Sequence, residues 1–86
     1  MKLYGRLVKN NMPLNDKSVV NKDETIGFHD KMEQLFVDLC KELEIPVPIW
    51  LKKNTREIAQ YRKTYFSNDQ FLEKVYFDKF VLELEV

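Results

Sequence analysis

From Ile26 to Glu44 the apolar residues recur every three or four positions, and no other feature narrows the fold as much. At 100° per residue, Phe28, Met32, Leu35, Phe36, Leu39 and Leu43 fall into one arc. Asp30, Glu33, Gln34, Lys41 and Glu44 lie opposite. A helix with one apolar side must rest on a surface, so the rest of the chain has to provide one. Pro46 has no amide hydrogen and pushes Ile45 out of helical space, which places the helix end near Glu44.

Both ends of the sequence offer that surface. KLYGRLVK sets Leu3, Gly5 and Leu7 against Tyr4, Arg6 and Val8, and DKFVLELEV sets Phe80, Leu82, Leu84 and Val86 against Lys79, Val81, Glu83 and Glu85. A period of two is that of a strand buried on one side. Between the first strand and the helix, NNMPLND reads as a loop, followed by a short strand over Lys17 to Asn21. This hairpin lacks the Asn-Gly or Asp-Gly pair of the tightest turns.

Beyond the long helix, Pro46 and Pro48 hold PVPIW extended. Asn54, with Glu57 three residues later, has the spacing of a capping box, which predicts a second helix from Thr55 to about Tyr65. SNDQ repeats the spacing and predicts a helical turn from Asn68 to about Lys74. The 86 residues suffice for one domain, residues 1–86. The expected class is α+β: a small antiparallel sheet of two or three strands, from an N-terminal strand or hairpin and the C-terminal strand, with both helices packed on one face.

Charge and residue usage remove several functions. Fourteen cationic residues face fourteen acidic ones, so no net field draws the protein to nucleic acid or membrane. Lys2, Arg6 and Lys9 interrupt the apolar run that a signal peptide needs, and no stretch reaches the ~20 apolar residues of a membrane span. With a single cysteine, Cys40, a reducing, cytoplasmic setting is expected, without a membrane partner.

His29 and Cys40, the only histidine and cysteine, are eleven residues apart on the long helix, or about 16 Å along its axis, so they cannot share a proton within one chain. Both sit at a margin of the apolar arc, which fits a partly buried histidine and a small apolar cysteine. His29 and Glu33 could face one metal ion from adjacent turns, but the remaining ligands would have to come from elsewhere. The two glycines, Gly5 and Gly27, build no phosphate loop, and no nucleophile motif is present. No catalytic residue, metal or cofactor is therefore expected.

What stands out is local. Lys52, Lys53, Arg56, Arg62 and Lys63 accompany a single acid, Glu57, whereas Phe28 to Glu44 carries five acids and two bases. On the second helix Arg62 projects between Ile58 and Phe66, where its guanidinium must reach water, stack on a ring or meet a carboxylate. The expected function is that of a small interaction or regulatory module. Its candidate partner-binding residues are Trp50, Lys52, Lys53, Arg56 and Lys63, around PVPIW and the basic helix. A protein partner is favoured; nucleic acid held by the same cations and aromatics is the alternative. Self-association through unpaired strand edges at Lys2 to Lys9 or Lys79 to Val86 is a third possibility.

IPVPIWLKKNT, followed by YRKTYFSNDQF, resembles a segment of a group of short, uncharacterised bacterial proteins. The likeness covers roughly the second half of the chain and implies no biochemical activity.

Overall fold

The computed structural model describes residues 1–86. Strands β1 (Lys2–Lys9) and β2 (Met12–Val20) form a hairpin, followed by helices α1 (Phe28–Glu42) and α2 (Lys52–Tyr61), strand β3 (Lys63–Ser67), a 3-10 turn (Asn68–Gln70) and strand β4 (Lys79–Glu85). The sheet is antiparallel throughout, in the order β2-β1-β4-β3. It therefore has four strands rather than the two or three expected.

The additional strand is β3, which the sequence places inside a helix. Ile58, Tyr61 and Tyr65 are spaced like one helical face, but Arg62 takes a left-handed conformation (φ 59°) and ends α2. The next five residues then alternate, with Thr64 and Phe66 inward and Lys63 and Tyr65 outward. Threonine, tyrosine and phenylalanine suit a strand, and pairing of Lys63–Ser67 with β4 outweighs one more helical turn.

The hairpin is also longer than expected, since β2 begins at Met12 rather than Lys17. Asn10 (φ 52°) and Asn11 (φ 63°) are the two turn residues between paired Lys9 and Met12. Asparagine tolerates positive φ, so Asn-Asn does here what Asn-Gly does elsewhere. Leu14 is the extra residue of a bulge: Leu7 pairs with Asn15 and Val8 with Pro13. Pro13 is accommodated because β2 is an edge. Asn11→Ala is expected to lower stability by about 1 kcal/mol, and Asn11→Gly to leave it unchanged or raised, as read from the urea midpoint.

α1 ends as the proline argument requires, one turn before Pro46, but the stop is made by Glu44 at φ 58°. The Ile45 amide donates to the Cys40 carbonyl and the Glu44 amide to that of Lys41, both at 3.0 Å, which is the Schellman pattern. Glu44 thus occupies a glycine position, and Glu44→Gly is expected to stabilise the fold by about 0.5–1 kcal/mol.

Both helices lie on the same side of the sheet. Leu3, Leu7, Phe80, Leu82 and Leu84 meet Leu35, Phe36 and Leu39 of α1, and Leu43 at its C-cap, in a core of sixteen buried apolar residues. Gly5 lets α1 come close: a β-carbon there would stand 2.7 Å from Phe80 and 2.9 Å from Leu39. The two chain ends are neighbours, with Lys2 opposite Glu85. β1 and β4 are consequently the inner strands, not edges open to another molecule. Of the true edges, β3 is sealed by side-chain amides, as described below, and β2 carries Pro13, Asp16 and Lys17, which discourage pairing.

Cys40 is fully buried, and His29 at the start of α1 is exposed, so the two do not share the margin assigned to them. Burial pushes the Cys40 thiol up to about 12. An unfolded thiol ionises near ~8.5, so above that pH the unfolded chain loses a proton that the folded chain keeps. Stability from this source is complete below pH ~8.5 and falls as the pH rises toward 12. Urea midpoints measured from pH 7 upward should therefore drop more steeply for the wild type than for Cys40→Ala. Native Cys40 should also stay unmodified by a disulfide reagent until denaturant is added.

Candidate functional site: a groove between the two helices

The connector between α1 and α2 is fixed by an amide network. The Ile49 amide donates to the Gln70 carbonyl at 2.7 Å, and Gln70 Nε2 returns a bond to the Ile49 carbonyl at 3.1 Å. Asn54, wholly buried, accepts from the Leu51 amide (2.9 Å) and from Gln70 Nε2 (3.2 Å). It donates to Thr64 Oγ1 (2.8 Å) and to the Tyr65 carbonyl (3.0 Å). The Gln70 Oε1 accepts from the Ser67 amide at 3.2 Å. Asn54 and Gln70 thereby occupy the outer edge of β3 while holding the connector against it.

Asn54 is thus a cap, but from inside the helix. Leu51 is the N-cap residue and Asn54, three residues on, reaches back to its amide. Glu57 takes no part in the cap; it accepts from Thr64 Oγ1 at 2.6 Å. The helix starts at Lys52, three residues before the expected Thr55.

With its neighbours pinned, Trp50 has a defined seat. Its ring meets Phe36 edge-on, centroids 5.2 Å apart, and lies 5.5 Å from Phe66. Its Nε1–H donates to Thr55 Oγ1 at 2.7 Å. The ring is half-buried: one side belongs to the core and the other lines a groove of about 490 Å³ between α1 and α2. Met32, Phe36 and Ile58 provide its buried apolar lining, Phe28 and Ala59 stand on the two helices, and Arg62 lines it at the end of α2. Phe28 was expected in the core, but at the first position of α1 it extends past the sheet's cover and remains 50% exposed.

The five candidate residues divide between two surfaces. Trp50 lines the groove. Lys52 and Arg56 are exposed on α2, each three residues before a lining residue, Thr55 and Ala59, and so next to them on the helix surface. Lys53 turns the other way, its Nζ 4.3 Å from the centroid of Tyr65, which Lys79 approaches at 5.5 Å. Lys63 lies on the uncovered face of the sheet, opposite Glu83. That face places Asp16 beside Arg6, Tyr4 beside Glu83, and Val81 beside Tyr65 across the strands, so its charges alternate in sign.

Arg62 meets none of the carboxylates suggested for it. The one contact of ion-pair length in the structure is His29 Nε2 to the Glu33 carboxylate at 3.7 Å, and Lys52, Arg56 and Arg62 have no acidic partner within 4.0 Å. Nowhere do three or more histidine, cysteine or acidic side chains converge as metal ligands, and no helix is long and apolar enough to cross a membrane.

The groove escaped the sequence reading because its lining comes from three separate segments. The available signals were Phe28 at the end of the apolar arc, a lone tryptophan between proline and lysines, and Arg62 on an apolar face. No family model, curated protein or solved structure matches the chain.

Proposed function

We propose that the protein is a small interaction module whose working surface is the groove between α1 and α2, bordered by the connector and the basic helix. The observation that carries this reading is an aromatic and aliphatic groove, formed by Phe28, Met32, Phe36, Trp50 and Ile58, which no other segment of the chain covers. Tryptophan, arginine and large apolar side chains around a concave surface are the usual anchors of protein recognition. Val47, Ile49 and Leu51 of the connector beside it are exposed as well.

Ala59→Gln places a longer polar side chain on the groove wall, at an exposed helix position, without disturbing the core. A partner captured from the native cell by the wild-type protein should be lost to this variant and retained by a Lys63→Gln control. Equal retention of every captured protein by Ala59→Gln would refute the groove as the working surface.

Nucleic acid is the alternative occupant, favoured by one observation: Tyr65 with Lys53 and Lys79 over its ring, beside Arg6 and Lys63 on the open face. Asp16, Glu57, Glu83 and Glu85 border the same surface and work against a phosphate backbone. Labelled single- and double-stranded RNA and DNA are accordingly expected to show no shift at low salt. A shift that weakens with a log–log salt slope of about −3 to −4 would transfer the function to the sheet.

A further inference from the structure

We infer that the groove's occupant is an acidic amphipathic helix, with apolar side chains buried between α1 and α2 and carboxylates facing Lys52, Arg56 and Arg62. The inference rests on the groove being the working surface, and adds to it the chemistry and shape of the partner.

Lys52 and Arg56 flank the α2 wall, Arg62 lines the groove itself, and none has an acidic partner within 4.0 Å. The opposite wall brings one carboxylate to the groove, that of Glu33, so three cations face a single acid across it. A partner entering the groove therefore meets apolar surface below and uncompensated positive charge along one side. Carboxylates on that partner supply what the protein lacks, and a cationic partner would be repelled.

From Lys52 to Arg62 the cations span ten residues, about 15 Å of helix at 1.5 Å per residue. A compact anion would reach one of them. A helix of about three turns, lying along α2, places carboxylates three or four residues apart beside all three, with apolar residues at the intervening helical spacing turned into the groove. The cavity of about 490 Å³ holds only a few large side chains, which matches anchors from such a helix.

Trp50, the sole tryptophan, reports directly on occupancy because it lines the groove and is half-buried when the groove is empty. The probes are three synthetic helical peptides about fourteen residues long with the same leucine face and with glutamate, glutamine or lysine at every polar position. In a titration at low salt, the glutamate peptide should shift Trp50 emission to the blue and bind roughly ten-fold more tightly than the glutamine peptide, with the lysine peptide weakest. The preference for glutamate should shrink toward unity near 0.5 M salt and fall at least about three-fold in Arg62→Gln, which leaves the apolar lining intact. Equal affinity for the glutamate and glutamine peptides would overturn the acidic partner while leaving the groove as the working surface. Failure of all three to shift Trp50 would overturn both.

Discussion

Asn54→Ala is expected to lower unfolding stability by about 3–4 kcal/mol. The side chain makes four hydrogen bonds with no exposed surface, and its removal leaves the Leu51 amide, the Gln70 side chain and the Tyr65 carbonyl short of partners in a buried site. Each buried polar group left unsatisfied costs about 1–3 kcal/mol, partly relieved where water enters the vacated space. A domain of this length holds on the order of 5–10 kcal/mol in total, so the variant should lose a large share of its margin. Asn54→Asp separates the two halves of the network. It can still accept from Leu51 and Gln70 but cannot donate to Thr64 or Tyr65, and it sets a buried charge near the Glu57 carboxylate that Thr64 already serves. Its cost should equal or exceed that of alanine at neutral pH. Denaturant unfolding measures both, and a loss below about 1 kcal/mol for Asn54→Ala would show that the network does not hold the connector.

The second large effect is expected at Gly5. A β-carbon there meets Phe80 at 2.7 Å, Leu39 at 2.9 Å and Leu43 at 3.0 Å, all side chains of a filled core. Overpacking of this kind costs about 1–3 kcal/mol, offset in part by the smaller chain entropy that alanine loses on folding. Gly5→Ala should therefore destabilise by about 1–2 kcal/mol and Gly5→Val by at least about 3 kcal/mol, because valine forces α1 away from the sheet. Combining Gly5→Ala with Leu39→Val makes room for the new methyl group, so the double variant should be more stable than the two separate losses add up to. Strict additivity would mean that Gly5 and Leu39 do not share the contact.

The same close approach explains why much of the fold was readable and some of it was not. β1, β4 and α1 each bury one side against a single layer, so their apolar residues keep the period of the element. β3 is different: Tyr61 and Tyr65 are both exposed, yet their spacing from Ile58 imitates a helix face. What decides between helix and strand there is the left-handed turn at Arg62, a residue with no outward sign of that conformation. Asn10 and Asn11 were legible as turn residues, but the strand beyond them was obscured by Pro13 and by the bulge at Leu14.

The site followed the same rule. Trp50 and the cations of α2 were identifiable as an unusual concentration of aromatic and positive residues. Their partition was not, because Lys52 and Lys53 are adjacent in sequence and point to different surfaces of a helix that sits at the sheet's margin. Asn54 was recognised as a cap, but its longer role depends on Thr64, Tyr65 and Gln70, which reach it only through the fold. The segment from Ile45 to Phe71 contains the connector, the asparagine and glutamine that fix it, and one wall of the groove.

Amide and indole chemical-shift mapping of the ¹⁵N-labelled protein, titrated with the leucine–glutamate helical peptide, tests the working surface most directly. The account predicts that the shifts concentrate at Phe28, Met32 and Phe36 of α1, at the Trp50 indole, and at Thr55, Ala59 and Arg62, with β1 and β4 unmoved. Shifts concentrated instead at Tyr4, Lys63, Tyr65 and Val81, on the open face of the sheet, would contradict it.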